Sequence, residues 1–237
     1  MIAHRGLALG VAENTLGAFR AALAAGATHL ESDAHATADG IAVLVHDEDL
    51  VRVAGVDGHV ADQTLAQLQA IPLEGSERIP TLAEFLEAFP EARLNLDVKS
   101  EAAAAPVAAD IREAGAQDRV LVASFGSRRR KRALRLLGRP APTSASVTQI
   151  LVAVPAAKLG LLPLARLALR SVHAVQLPLR TAGIRIDTAR MIRRLQSCGV
   201  EVHFWTINDP AEMQRLVALG ADGIVTDRVD LAVSLLG

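Results

Sequence analysis

Residues 94–125 read LNLDVKSEAAAAPVAADIREAGAQDRVLVASF, two short apolar runs on either side of an alanine-rich one. The outer runs, 94–98 and 120–125, are aliphatic and β-branched, as strands buried on both faces are. The middle run, 102–114, has helical composition and stops at Gly115. Strand, helix and strand at this spacing make a parallel unit with a crossover, and 128–137 supplies the next helix.

The alternation continues outward in both directions. Toward the C-terminus, strands are expected at 143–147, 174–179, 201–207 and 223–226, with helices at 188–197, 211–219 and the chain end. Toward the N-terminus, strands fall at 2–4 and 28–34 around a helix over 13–25, with Asn14 read as its N-cap. The Asp39-Gly40 pair then turns the chain into a hairpin arm at 41–46. A turn-rich excursion over about 47–80 carries one modest helix, at 64–70, and ends where Thr81 and Glu84 form a capping-box pattern. Leaving out the arm, eight strands remain. The expected fold is therefore α/β, a (β/α)8 TIM barrel in one domain over 1–237, with a short insertion after the hairpin on the second barrel strand.

Composition agrees with a large aliphatic core: 51% of residues are hydrophobic, with five Phe, one Trp and no Tyr. A net charge of −1 offers no bulk attraction to nucleic acid, and the basic run Arg128–Arg132 reads as a solvated helix face. The single cysteine, Cys198, excludes an internal disulfide and reads as a small buried apolar residue. The opening MIAHRG lacks the basic and apolar regions of a signal peptide, so a cytoplasmic protein is expected. Residues 150–169 are apolar but interrupted by Pro155, Lys158, Gly160, Pro163 and Arg166. That argues for a loop and helix on the barrel exterior or over its mouth, with weak contact to a lipid surface as the secondary expectation, and against a transmembrane segment.

Barrel enzymes place their chemistry at the C-terminal ends of the strands. There the sequence puts His4 and Arg5, Glu31 and Asp33, His46 and Asp47, and Asp97 and Lys99. Residues two apart on a strand share a face, so Glu31 pairs with Asp33 and Asp97 with Lys99. Adjacent carboxylates on an inward face repel unless a cation or proton intervenes, and an all-oxygen set suits one hard divalent cation, Mg2+ or Ca2+. Arg5 and Lys99 beside it would bind a phosphoryl oxygen, and His4 and His46 are the natural acid–base pair. Trp205 is expected to wall the substrate pocket. His29, His35, His59, His173 and His203 read as structural or exposed. The groups ending the later strands, Ser124, Gln176, Thr206, Asn208, Thr226 and Asp227, read as milder. No glycine fingerprint of a dinucleotide site follows the first strand.

The blocks IAHRG, ENTLGAF, LESDAHATADG, VLVHDEDLVR, IPTLAEFL, LNLDVKS, FWTINDPAEM and GADGIVTD resemble the glycerophosphodiester phosphodiesterase family from end to end, in order and spacing. The resemblance implies a (β/α)8 barrel with a small insertion after the HD block. It implies His4 and His46 as catalytic histidines, Arg5 as phosphate-binding, Glu31, Asp33 and Asp97 as metal ligands, and Lys99 as the active-site lysine. The implied reaction turns a small phosphodiester into sn-glycerol 3-phosphate and an alcohol. Asp97 departs from the family's frequent glutamate, and Ala34-His35 stands where an aliphatic residue is common, which bears on metal and substrate preference. Two other readings are an enzyme acting on lysophospholipids through the same groups and a barrel that binds phosphodiesters without cleaving them.

Overall fold

The computed structural model describes residues 1–236. Its strands are β1 (Ile2–Ala3), β2 (His29–Ala36), β3 (Ala42–Leu44), β4 (Leu94–Val98), β5 (Val120–Ala123), β6 (Ala174–Leu177), β7 (Arg180–Thr181), β8 (Ile184–Arg185), β9 (Glu201–Phe204) and β10 (Gly223–Thr226). A curled parallel sheet runs β5-β4-β2-β1-β10-β9-β6. Bridges Val122–Thr143 and Ser144–Ala174, both parallel, join its two ends through residues 143–144. These make the eighth stave, and the sheet closes into a (β/α)8 barrel as the strand count implied. Closure removes the exposed sheet edge that an open parallel array would carry.

The eighth stave is shorter than the run 143–147 suggests, because Ser146 caps a helix that begins at Val147. The 150–169 region is two helices, Val147–Leu159 and Leu162–Leu169, broken at Gly160 in the left-handed conformation. Among the described residues no helix is long and apolar enough to cross a membrane. The arm β3 pairs antiparallel with β2 across the Asp39-Gly40 turn. Beyond it, 47–80 forms short helices at Val51–Ala54 and Leu65–Gln69, held to the arm by a cluster that includes Val43, Leu50, Val60, Leu68 and Ile79. The Thr81–Glu84 capping box is present. The small hairpin β7–β8 has no forerunner in the sequence reading, since its two-residue strands are too short to show alternation.

The first helix starts at Leu16, capped by Thr15 and not by Asn14. Asn14 instead lies buried at a positive φ and turns into the barrel mouth. The basic run is not wholly a solvated face either. The Arg130 guanidinium is buried and donates to Thr143 and Gln149, while Arg129 donates to Ser124 Oγ and the Lys99 carbonyl. Arginine can be buried this way because its planar fork meets several acceptors at once. Burial raises the thiol pKa of Cys198, which suits a packing role.

Between β1 and the first helix the chain must turn sharply to bring His4 and Arg5 to the barrel mouth. Gly6 makes this turn at φ +85, where an added Cβ would meet the Ala18 carbonyl carbon at 2.7 Å. Both the left-handed backbone and the close approach demand glycine. Gly6→Ala should destabilise the protein by roughly 2–4 kcal/mol, read as a lower denaturation midpoint; an unchanged midpoint would show the turn to be dispensable.

Candidate active site

In register, Asp33 of β2 stands beside Asp97 of β4, and Glu31 beside Asn95. Pleating sends these four inward while Leu30, Ala34, Leu96 and Val98 face the helices as core. One cavity of about 390 Å³ at the barrel mouth is lined by His4, Arg5, Glu31, Asp33, His46, Asp97, Lys99 and Trp205. The structure thus brings together every site residue named from the sequence.

Lys99 Nζ lies 2.9 Å from Asp33 Oδ1 and 2.8 Å from Asp97 Oδ2, so the lysine bridges the two carboxylates and is no surface group. Burial works against its charge, but the two aspartates raise its pKa. Arg5 Nε is 3.4 Å from Asp33 Oδ2, and its Nη1 donates to Glu13 at 2.9 Å. Glu31 is buried and accepts from the Arg5 backbone N–H at 3.1 Å. Burial first, and Asp33 next, hold its carboxyl well above the usual carboxylate range.

This arrangement tests the fit of a cation. Asp97 Oδ1 is buried with no hydrogen-bond partner, and Glu31 carries the penalty of an acid among acids. Oxygen donors of this kind match a hard divalent ion. As the side chains stand, with Lys99 between Asp33 and Asp97, no group of three or more His, Cys, Asp and Glu among the described residues is gathered closely enough to enclose one. Holding an ion at all three acids therefore requires local side-chain adjustment about Lys99.

Each mouth histidine has a carboxylate at Nδ1. His4 Nδ1 is 2.6 Å from Asp227 Oδ1, and Asp227 also accepts from Asn208 Nδ2 at 2.7 Å. His46 Nδ1 is 2.7 Å from Asp47 Oδ1, and Asp47 accepts in turn from Arg52. Burial would raise both aspartates, but these donors hold them below their ordinary value. Arg52 also reaches Glu13, which joins the Asp47 pair to Arg5. His35 Nε2 lies 3.1 Å from the His46 carbonyl, a structural contact in keeping with its sequence reading. A carboxylate at Nδ1 fixes the ring's tautomer and orientation and turns Nε2 toward the cavity.

The sequence reading missed several supports. Asp227 and Asn208 sit where barrel logic looks for function, yet nothing local marks Asp227 as the partner of a histidine 223 positions away or Asn208 as a donor to that aspartate. Asn14, taken as a cap, donates to Asp33 Oδ2 at 3.2 Å and accepts from Ser32 Oγ at 2.7 Å. Phe125, 52% exposed, stands edge-on to Trp205 at 6.0 Å and lies 5.8 Å from Lys99 Nζ. With Val147, Ile150 and Leu151 these rings make one side of the cavity apolar, opposite the charged side.

A profile of the glycerophosphoryl diester phosphodiesterase family matches residues 4–231. The chain belongs to that family. It is accordingly a phosphoric diester hydrolase with glycerophosphodiester phosphodiesterase activity. A probable glycerophosphodiester phosphodiesterase 2 of Mycobacterium tuberculosis is 37% identical over 236 residues, covering 99% of this chain and 89% of that protein. The lysophospholipase D GDPD1 of Rattus norvegicus is 28% identical, covering 95% of this chain and 82% of its own length. In fold, an Oleispira antarctica phosphodiesterase solved with the product sn-glycerol-3-phosphate superposes with a TM-score of 0.82 at 24% identity, over 99% of this chain and 95% of that one.

Within the mouth of this family member, Lys99 bridges two buried aspartates and offsets their mutual repulsion. Lys99→Met should destabilise protein held free of divalent ions by about 3 kcal/mol, because it strands two like charges. Urea denaturation in EDTA reads the change, and an unaltered midpoint would mean the bridge contributes nothing.

Proposed function

We propose that the chain hydrolyses glycerophosphodiesters to sn-glycerol 3-phosphate and an alcohol, with His4 and His46 transferring the protons. The observation that carries this reading is the pairing of two imidazoles, each backed by its own aspartate, in one cavity with three buried acids. Two oriented acid–base groups have no purpose in a barrel that only binds. In the proposed mechanism the Arg5 guanidinium and the Lys99 ammonium receive the phosphoryl oxygens and neutralise charge as it develops. One imidazole takes the proton of the attacking oxygen, water or the substrate's neighbouring hydroxyl, at Nε2. The other gives a proton from Nε2 to the departing alkoxide. Asp227 and Asp47 fix the tautomer and orientation of the rings, and Trp205 and Phe125 wall the substrate pocket. Glu31, Asp33 and Asp97 would hold one divalent cation, Mg2+ or Ca2+, which when bound supplies Lewis-acid polarisation of a phosphoryl oxygen.

A second reading concerns the glycerol side of the substrate. The apolar side of the cavity, with Phe125, Val147, Ile150 and Leu151, would accommodate a glycerol that carries an acyl chain, the small alcohol again being the group released. The similarity to a lysophospholipase D supports the same extension. Turnover of glycerophosphocholine against lysophosphatidylcholine separates the two, and a strong preference for the former retires the second.

His4→Ala and His46→Ala should each lower kcat by about 10²–10⁴-fold in a folded protein, measured as release of glycerol 3-phosphate; near-normal turnover in either variant would remove that histidine from the mechanism. For the cation, adding Mg2+ or Ca2+ to EDTA-treated protein should raise Tm by several degrees, since an ion bound only by the folded state stabilises it. The shift should vanish in Asp97→Asn. Indifference of both Tm and activity to chelation would overturn the metal assignment.

A further inference from the structure

From Arg119 to Ile186 the chain holds thirteen Lys and Arg and no Asp or Glu, whereas the remainder holds twelve Lys and Arg against all 26 acids. A net charge of −1 thus hides a strongly polarised molecule. The acid-free segment includes the helix pair Val147–Leu159 and Leu162–Leu169, whose outer surface is leucine-rich and uncovered. Leu151, Val152, Leu159, Leu161, Leu164 and Leu167 are all exposed, Leu159 to 75%. Val147 and Leu151 at one end of this surface also line the active-site cavity, so the apolar face is continuous with the mouth. Lys158, Arg166 and Arg170 are exposed on the same two helices or at their end, and none has a carboxylate within 4 Å among the described residues. Arg180 is likewise exposed and unpaired at the cavity rim.

From these observations we propose that the pair of helices is a docking surface for an anionic lipid bilayer, which brings the mouth of the barrel to the membrane surface. Apolar residues on the outer face with cations and no acids around them are what lets a helix lie in the headgroup region of such a bilayer. The leucines enter the acyl boundary, and Lys158, Arg166 and Arg170 meet the phosphates. A second copy of the chain is a poorer occupant, because two such faces would set like charges against each other without a compensating acid. Nucleic acid fits worse still, since a leucine face offers bases no stacking platform. The proposal goes beyond the assigned chemistry: adsorption needs no turnover and would stand whichever alcohol the enzyme releases.

Sedimentation with sucrose-loaded vesicles tests it directly. Phosphatidylglycerol–phosphatidylcholine vesicles should retain at least about tenfold more protein than pure phosphatidylcholine, with retention falling as salt screens the basic groups. Leu164→Glu with Leu167→Glu, both outside the cavity, should cut retention by about tenfold while leaving Tm and the circular dichroism spectrum of the free protein unchanged. Lys158→Glu should weaken binding on its own without disturbing the leucines. Equal or absent retention on both kinds of vesicle overturns the proposal, as does equal retention of wild type and variants. Concentration-dependent dimers that these substitutions abolish would assign the face to a second copy and overturn it too.

Discussion

Three carboxylates on two neighbouring strands face one cavity, and much of the site exists to make that arrangement tolerable. Glu31, Asp33 and Asp97 cannot all be ionised side by side without a positive group among them. The chain answers with Lys99 set between Asp33 and Asp97 and with Arg5 at Asp33, so the acids and cations come from the same barrel strands and the turns that follow them. Concentrated charge of both signs is thus held by a closed sheet, which would preorganise the phosphate-binding pocket proposed above.

The barrel's closure supplies the second half of the design. His4 follows the first strand and Asp227 the last, and they meet only because β1 pairs with β10. His46 sits beyond the arm strand and is held from two directions, by Asp47, itself fixed by Arg52, and by His35 at its carbonyl. Glu13 links this group to Arg5. His46, Asp47, Arg52, Glu13 and Arg5 thus form one hydrogen-bonded network, and His4, Asp227 and Asn208 form another.

Opposite the charged side, the cavity is walled by Phe125, Trp205 and the start of the Val147–Leu159 helix. The same helix packs Ala153, Val154, Ala156 and Ala157 into the core and turns Val152, Lys158 and Leu159 to solvent. On the proposed readings substrate choice and surface attachment would be coupled, because one element contributes to both. The segregation of basic residues into the middle of the chain gives that element an electrostatic direction which the total charge conceals.

Local pattern was enough for the eight staves, the Asp39-Gly40 hairpin, the Thr81 cap and the eight mouth residues. Each of these depends on period, turn chemistry or spacing along a strand, which are properties of adjacent residues. Asn14 was misread because a helix cap and a buried hydrogen-bonding amide look alike in sequence; only the fold showed Thr15 doing the capping. Arg130 was misread because its buried acceptors, Thr143 and Gln149, lie thirteen and nineteen residues away. The linear chain on its own determined the barrel, its family and which side chains face the mouth. Tertiary structure alone decided which of them touch: Asp227 on His4, Lys99 between two aspartates, and Phe125 on Trp205. Apart from the Asp97–Lys99 spacing, such contacts join elements distant in sequence that only strand pairing and barrel closure bring together, and no local preference of the chain records them.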